Sequence, residues 1–353
     1  MALSNGLELT GLHHVSAITA NAEINRDFYA RALGMRLVKK TVNQDALDMY
    51  HLYYADGTGS AGTDLTFFDY AGTARANYLR VPRNQAGSGE IQEIALRITG
   101  DDAFDFWKAR FDKFGIPYGS ITRRGGHKAL PFTDPEGQRL ALIDDSDAVI
   151  PGGEPWELSP VSGEFGIKGL GAITTSTARP EATLPVLTDF LGYRIVSDTP
   201  DPIIAGNRTV VLETGKGGVG SLLIVRVTPS DQRARPGAGG VHHVAFRVTT
   251  FEGHEQWNQY LTEAGFQVTP VIDRFYFKAM YFREPGGVLY EISTDEPGFA
   301  TDEPAETLGE SLALPTFLEP QRAQIEAAIL PLDTRREILT AEYAAPSEEV
   351  VTK

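Results

Sequence analysis

The sequence contains no cysteine. This excludes disulfides, thiolate zinc sites, iron–sulfur clusters and cysteine nucleophiles, so any bound metal must use nitrogen and oxygen ligands. Long hydrophobic runs are also missing, because no segment approaches the roughly 18 uninterrupted apolar residues of a membrane span. Residues 1–11 lack the charged start and apolar core of a secretion signal. We therefore expect a soluble, cytoplasmic protein with no membrane partner.

Basic residues are scarce relative to acidic ones. The chain has 32 Lys and Arg against 47 Asp and Glu, a net charge of -15. With no basic face to neutralise phosphates, nucleic acid is not an expected partner. At 353 residues and 42% hydrophobic composition, the chain can bury more than one core, which favours two domains.

What the sequence does contain is one pattern repeated four times. Each unit has a strand, an amphipathic helix, and three further strands with a tight turn before the last. The units begin at LHHVSAIT (12), IQEIALRIT (91), IKGLGAITT (167) and VHHVAFRVT (241). Because a left-handed helix cap favours glycine, each helix is expected to end at one. These glycines are Gly34, Gly115, Gly192 and Gly265.

The spacings indicate that a two-unit segment was duplicated. The position of the second histidine and the capping glycine are 20 residues apart in units one and three, and 22 apart in units two and four. We predict an α+β fold of four tandem βαβββ modules forming two domains, each an open β-barrel flanked by helices. The predicted segments are a domain over 1–152, a linker over 151–166, a domain over 165–298, and a C-terminal region over 299–353 with a helix at 319–332 and a solvated tail from 344.

The units differ at two positions that hold side chains able to bind a metal or take part in catalysis. The second histidine of the doublet is present as His14 in unit one and His243 in unit four, and its counterparts in units two and three are Glu93 and Ala172. A glutamate, Glu291, lies within the apolar last strand of unit four. Its counterparts are Ala141 in unit two, an aliphatic or basic residue in unit three, and a residue near Thr66 in unit one.

A carboxylate inside an apolar strand is costly unless it is paired or bound to a metal. Two imidazoles and one carboxylate on converging strands form the facial triad typical of non-haem Fe(II) oxygen chemistry, with coordination positions left open. The hypothesis requires units one and four to lie against each other, so that His14, His243 and Glu291 meet.

On these residues the chain resembles the vicinal-oxygen-chelate superfamily, and within it the ring-cleaving extradiol dioxygenases that act on hydroquinones. The matching segments are GLHHVSAIT (11), YHLYYADGTGSAGTDLTFF (50), GVHHVAF (240) and DRFYFKAMYFREPGGVLYEI (273). The resemblance implies that His14, His243 and Glu291 bind Fe(II), or alternatively Mn(II). It also implies that O2 is inserted into a small aromatic diol, whose ring opens.

The resemblance further implies an outer set of residues. His13 and His242 would be catalytic outer histidines, Arg274 and Tyr281 would be catalytic and substrate-binding, and Ser16 would contact substrate. Their structural alternatives are a backbone-bonded core histidine, a surface ion-pair partner and barrel filling. Because strand side chains alternate, the two members of each doublet are expected to point in opposite directions, so that only one enters a given cavity.

Three further histidines are interpreted without a function. His51 and His127 are expected to be polar residues at strand ends, and His254 to face solvent. Two other functions on the same fold stay open: a glyoxalase-like isomerase or lyase with a divalent metal and four protein ligands, and a non-enzymatic quinone- or drug-binding protein. Exposed strand edges make a homodimer or higher homo-oligomer plausible.

Overall fold

The computed structural model describes residue 3 and residues 6–71, 81–201, 204–228 and 232–346. Across these residues the chain forms two eight-stranded sheets with helices, so the predicted α+β class is confirmed. The strands are β1 (Leu12–Thr19), β2 (Arg36–Asn43), β3 (Ala46–Ala55), β4 (Asp64–Asp69), β5 (Ile91–Ile98), β6 (Thr122–Arg124), β7 (His127–Thr133), β8 (Arg139–Asp144), β9 (Leu170–Thr177), β10 (Arg194–Pro200), β11 (Arg208–Glu213), β12 (Leu222–Val227), β13 (Gly240–Val248), β14 (Ile272–Asp273), β15 (Phe277–Arg283) and β16 (Leu289–Pro297).

Each unit has the predicted βαβββ order. The unit helices are Ala22–Arg26 with a π-helical continuation over Asp27–Ala32, Asp101–Phe114, Pro180–Pro185 with a π-helical continuation over Val186–Phe190, and Phe251–Glu263. C-terminal to the units are α-helices at Arg322–Ala328 and Arg336–Leu339 and 3-10 turns at Phe299–Thr301, Ala305–Thr307 and Glu319–Gln321. No helix in the described ranges is long and apolar enough to cross a membrane.

The four predicted helix-capping glycines are confirmed by their backbone conformation. Gly34, Gly115, Gly192 and Gly265 have φ angles of 72°, 67°, 71° and 88°. The α-helical part is five or six residues long in units one and three before the π-helical segment, against 14 and 13 residues in units two and four. The shorter helices account for the shorter spacing between histidine position and glycine.

Each sheet takes one unit from each half of the chain. The first has the order β14-β15-β16-β13-β1-β4-β3-β2 and joins unit four to unit one through antiparallel pairing of β13 with β1. The second has the order β10-β11-β12-β9-β5-β8-β7-β6 and joins unit three to unit two. Units one and four therefore lie together as the triad hypothesis requires. The halves 1–152 and 165–298 do not coincide with the two sheets, and their division into domains stays a prediction.

Strand register makes the four units directly comparable. In every unit the first strand pairs in parallel with the last strand, in the same register. The paired residues are Ser16 with Thr66, Ala95 with Ala141, Thr174 with Ile224, and Ala245 with Glu291. Thr66 is thus the unit-one counterpart of Glu291, which removes the one-residue uncertainty in the sequence comparison.

The two histidine doublets interrupt the pairing of β1 with β13. In β1, Leu12 and His14 pair with consecutive residues of β13, which leaves His13 as an extra residue. In β13, His243 and Val241 pair with consecutive residues of β1, which leaves His242 as the extra residue. A β-bulge of this kind redirects a side chain. The strict alternation predicted for the doublets is therefore interrupted at both of these positions.

The C-terminal region packs on the first sheet. The helix predicted over 319–332 starts as a 3-10 turn at Glu319–Gln321, continues as an α-helix over Arg322–Ala328, and has ended at Ile329, which is extended. The residue preceding Pro331 is biased away from helix, which explains the early end. Nζ of the buried Lys39 contacts Oδ1 of Asp302 at 2.7 Å and the carboxylate of Glu303. In the predicted tail, residues 347–353 lie outside the described part of the chain.

Candidate metal centre

Three donor atoms from different strands converge in the first sheet. Nε2 of His14 (β1) lies 3.3 Å from Nε2 of His243 (β13) and 3.3 Å from Oε2 of Glu291 (β16). Nε2 of His243 lies 2.7 Å from the same carboxylate oxygen. All three side chains are buried. Among the described residues, they are the cluster of His, Asp and Glu side chains whose geometry could hold a metal ion.

The spacing of these donors fits a metal ion better than a hydrogen-bonded cluster. Oε1 of Glu291 accepts a hydrogen bond from Oγ of Ser293 at 2.6 Å, but Oε2 is buried and has no hydrogen-bond partner. Metal–ligand bonds of about 2.1 Å at right angles place neighbouring donor atoms about 3 Å apart, as found here. Burial raises the pKa of Glu291, but His14 and His243 outweigh it and hold the pKa well below its ordinary value. The carboxylate is therefore available as an anionic ligand.

His13 sets the tautomer of His14. Nε2 of His13 donates to the carbonyl oxygen of Thr294 at 3.0 Å, and its Nδ1 lies 2.9 Å from Nδ1 of His14. Burial and the neighbouring His14 lower the pKa of His13 to about 3, so it is neutral and its Nδ1 accepts. His14 therefore donates from Nδ1 and directs the lone pair of Nε2 at the centre. Outer partners of this kind orient metal-binding histidines.

The second doublet repeats this contact in a more open setting. Nδ1 of His242 lies 2.7 Å from Nδ1 of His243, but His242 itself is exposed. Both histidines line the same cavity, contrary to the expectation that only one member of a doublet could enter it. The bulge at His242 is the physical reason, since it brings the side chains of two consecutive residues to one side.

A cavity of about 320 Å³ opens above the three donors. Its lining combines aromatic and aliphatic side chains with polar ones. The lining residues are His14, Ser16, Thr41, Val42, Asn43, Gln44, Asp45, His51, Tyr53, Phe68, Tyr70, His242, His243, Arg274, Tyr276, Phe277, Tyr281 and Leu289. A concave, largely aromatic space with a few converging polar groups is typical of a site for a small ring-shaped molecule.

Arg274 and Tyr281 form one wall of this cavity. The guanidinium of Arg274 lies 5.5 Å from the centre of the Tyr281 ring and donates to Oδ2 of Asp45 at 2.9 Å. Tyr281 packs edge-on against the His243 ring, with centroids 5.6 Å apart. Burial, followed by the charge of Glu291, raises the pKa of Tyr281, so its hydroxyl stays protonated and can donate. The structural alternatives were a surface ion pair for Arg274 and barrel filling for Tyr281. Arg274 does pair with Asp45, but both side chains also line the cavity.

The second sheet has no equivalent centre in its described residues. Glu93, at the histidine position of unit two, forms a two-point ion pair with Arg124, with Nη2 and Oε2 2.8 Å apart. Arg124 is the register counterpart of Arg274, because Thr122 and Ile272 pair with equivalent alanines. The counterparts of the other donor positions in this sheet, Ala141, Ala172 and Ile224, belong to a buried apolar cluster. The members of this cluster are Ala95, Ala129, Ala141, Ile143, Ala172, Val211, Val219, Leu222 and Ile224.

Two of the three interpretations made for the remaining histidines are wrong. His51 lies in the middle of β3, lines the cavity and bonds to Thr66 and Tyr53. His254 is fully buried and donates from Nε2 to the carbonyl of Ile292 at 2.8 Å. His127 does begin β7, as expected of a strand-end residue. The usable signal for His51 was the one that identified the doublets, because its register counterparts in the other units are Ala129, Thr209 and Ala279.

Comparison with known proteins identifies a family whose profile matches residues from both sheets. Residues 11–142 and 169–292 match the profile described as the Glyoxalase/Bleomycin resistance protein/Dioxygenase superfamily. The chain is 41% identical over 326 residues to MhqA of Bacillus subtilis (strain 168), provisionally named a ring-cleaving dioxygenase, covering 92% of this chain and 100% of that protein. It is 29% identical over 320 residues to a chlorohydroquinone/hydroquinone 1,2-dioxygenase of Sphingobium indicum, covering 88% and 92%.

A solved structure shares the whole architecture. A crystal structure of a provisionally assigned dioxygenase from Bacillus subtilis subsp. subtilis str. 168 superposes with a TM-score of 0.82 at 37% sequence identity. The superposition covers 93% of this chain and 99% of that one, so both sheets and their arrangement are common to the two proteins.

Proposed function

This chain belongs to the glyoxalase/bleomycin resistance protein/dioxygenase superfamily, and we propose that it is a metal-dependent dioxygenase that opens the ring of a hydroquinone or related aromatic diol. The observation that carries the proposal is the meeting of His14, His243 and Glu291 at the base of a cavity lined by aromatic side chains. The names of the similar proteins support ring cleavage, and one of them supports a para-diol substrate.

The proposed metal is Fe(II), with Mn(II) as the alternative. His14, His243 and Glu291 would hold it through two nitrogens and one oxygen, a donor set that suits both ions. When bound, the metal would supply open coordination positions for a substrate oxygen and for O2, together with one-electron chemistry that closed-shell aromatics lack. Three protein ligands leave room for both molecules.

The protein side chains would bind, orient and protect the substrate. Phe68 and Phe277 would pack against the ring and exclude water from it. Arg274 would stabilise negative charge on the ring oxygens, and Tyr281 would donate a hydrogen bond from a hydroxyl that stays protonated. His242, which lies 2.7 Å from Nδ1 of His243 and whose pKa is lowered to about 3 by desolvation and by His243, would be neutral and would orient that ring.

Replacing Arg274 by glutamine should lower kcat/KM by about 100-fold, because a charge aimed at the developing anion is lost. Metal content should not change, since Arg274 is not one of the three donors. Steady-state oxygen uptake and metal analysis of the same preparations measure both quantities. The matched control is Arg124→Gln at the register counterpart in unit two, which should keep kcat/KM within a factor of about 2. Equal losses in the two variants would contradict the role of Arg274.

The glyoxalase-like alternative expects a fourth protein ligand in the site. Its place by register is Thr66, whose hydroxyl lies 2.7 Å from Ser16 and 3.0 Å from His51. A hydroxyl engaged in this way is a poor ligand for a divalent ion. The sequestering alternative does not need the three donors, and burying a carboxylate oxygen that faces two imidazole nitrogens would then be a cost without a role.

The decisive experiment is anaerobic reconstitution with Fe(II) or Mn(II), followed by oxygen uptake with a panel of hydroquinones and catechols. We expect one O2 consumed for each hydroquinone, an acidic ring-opened product, and weaker activity with catechols. Substrate isomerisation without oxygen uptake would favour the glyoxalase-like function. Tight binding of diols with no turnover in either metal form would favour sequestration.

A further inference from the structure

Four side chains on the unit-one wall of the cavity form a continuous hydrogen-bonded series. The Tyr53 hydroxyl lies 2.8 Å from Nδ1 of His51, and Nε2 of His51 lies 3.0 Å from Oγ1 of Thr66. Oγ1 of Thr66 lies 2.7 Å from Oγ of Ser16. Ser16 and Tyr53, at the two ends, both line the cavity. We call these four residues the His51 relay.

The middle of the His51 relay is held rigidly. The His51 ring lies between the rings of Tyr53, with centroids 4.0 Å apart, and Phe68, with centroids 4.2 Å apart. Phe68 is its cross-strand partner on β4, and Tyr53 is two residues further along β3. Burial lowers the pKa of His51 well below its ordinary value, so the ring is neutral and carries one N–H.

The His51 relay has one more hydrogen than it can use internally. Three hydroxyls and one imidazole N–H supply four hydrogens, whereas the series contains three contacts. If Thr66 donates in one of its two contacts, the spare hydrogen is at one end of the series. If Ser16 has it, Tyr53 donates to Nδ1 of His51 and the His51 N–H is on Nε2. If Tyr53 has it, every bond is reversed and the N–H is on Nδ1. Neither arrangement changes a charge.

The location of Ser16 determines which end of the His51 relay contacts a ligand at the candidate centre. Ser16 is two residues from His14 on β1 and is the register partner of His243 on β13. An anionic oxygen bound beside these histidines can only accept hydrogen bonds, so it is stabilised when Ser16 is the donor. Hydrogen bonds to charged groups are the stronger ones, and they carry more weight when buried.

We propose that the His51 relay is a directional binding subsite that stabilises an anionic ring oxygen by turning the Ser16 hydroxyl towards it, with His51 as the positioning residue. This rests on the proposed function for the identity of the ligand, an ionised phenol of an aromatic diol. A ligand that presents only a hydrogen there would require the reversed arrangement, in which Ser16 donates to Thr66, accepts from the ligand, and the spare hydrogen is on Tyr53.

Each unit has one register-matched pair at this position, and the pair in unit one, Ser16–Thr66, has the two hydroxyls that the relay requires. The counterparts of the Ser16–Thr66 pair are Ala95–Ala141, Thr174–Ile224 and Ala245–Glu291. None of these pairs has two hydroxyls. Thr174 is the counterpart of Ser16 in unit three and is equally buried, so its replacement by valine is a matched control for losing a buried hydroxyl.

The binding test uses the full chain loaded with Zn²⁺, which suits the same donors, and 4-methylphenol, which has a single hydroxyl. Thr66→Val breaks the relay without removing Ser16 and should weaken 4-methylphenol binding by about 10–100-fold in a calorimetric titration. Thr66→Ser should restore affinity to within about 3-fold, and Thr174→Val should leave it unchanged. Equal affinities for Thr66→Val and Thr174→Val would overturn the proposal.

Histidine tautomers provide a second readout that a purely structural role would not move. The chain has seven histidines, so ¹⁵N-histidine spectra are simple, and His51→Gln identifies the His51 signals. With 4-methylphenol bound, we expect the N–H of His51 on Nε2. An N–H on Nδ1 in the complex would refute the proposed direction, whatever the affinities are.

These experiments separate the relay from the proposed reaction. If no aromatic diol supports oxygen uptake but Thr66→Val still weakens 4-methylphenol binding, the relay stands and the proposed reaction fails. If hydroquinones are cleaved and Thr66→Val has the wild-type KM and affinity, the reaction stands and the relay fails. With both correct, Thr66→Val should raise KM for the diol about 10-fold or more with a smaller change in kcat, because the contact is made to bound substrate as well as to the transition state.

Discussion

Replacing Glu291 with alanine is expected to remove metal binding and oxygen uptake together. Glu291 is the one anionic donor of the three, and its Oε2 lies 2.7 Å from Nε2 of His243 and 3.3 Å from Nε2 of His14. Loss of a direct ligand should weaken metal binding by more than the about 10–100-fold typical of outer partners. Metal analysis after anaerobic reconstitution, with oxygen uptake on the same sample, measures both. His243→Ala should behave in the same way.

The control for this loss is Glu93→Ala, which removes a buried carboxylate from the histidine position of unit two. It should keep metal content and kcat/KM, because the second sheet has an ion pair there instead of a centre. It should also lower the free energy of unfolding by about 1–3 kcal/mol, since Arg124 loses its partner. Urea denaturation measures that cost. Full metal content and turnover in Glu291→Ala, or a dead Glu93→Ala variant, would mean that the site has been misplaced.

Replacing His13 with alanine should lower metal affinity and turnover by about 10–100-fold, while metal still binds when it is saturating. His13 is buried between the carbonyl of Thr294 and Nδ1 of His14, so its removal leaves both of these groups without their protein partner. His14 would then lose both its orientation and its tautomer. Metal titration of the purified variant gives the affinity, and oxygen uptake at saturating metal gives the turnover.

The matched comparison is His242→Ala, which removes the equivalent partner of His243. Because His242 is exposed, a water molecule can accept from Nδ1 of His243 in its place. Its effect on metal affinity should therefore be about 10-fold smaller than that of His13→Ala. Complete metal loss in His13→Ala at saturating metal would show that His13, and not His14, is the ligand. A larger loss of affinity in His242→Ala would contradict the argument from burial.

Several features of the fold were predictable because they depend on residues close together in the sequence. The glycines that end the four helices, including Gly34 and Gly192, are required by backbone conformation, which is a local property. The helix predicted over 319–332 is present but ends early for a local reason, since Pro331 disfavours helix in the residue before it. The repeats also served as internal comparisons, which placed the counterpart of Glu291 near Thr66 before strand register identified it.

The residues around the centre were less predictable because their roles depend on contacts between distant strands. His51 bonds to Thr66 of the neighbouring strand, and His254 reaches the carbonyl of Ile292 on β16. Neither contact leaves a periodic signal in the sequence. The bulge at His242 is likewise a property of how β13 pairs with β1, and periodicity within one strand does not encode it.

The sequence by itself determined the four repeated units, their helix ends, and the three residues that break the repeat with metal-binding chemistry. Only the tertiary structure decided that unit one pairs with unit four, that bulges bring both histidines of a doublet towards one cavity, and that His51 belongs to its wall. The physical reason is range: helix caps and strand periodicity are governed by neighbouring residues, whereas His14 and His243 meet across 229 positions, through hydrogen bonds between strands whose partners the local sequence does not specify.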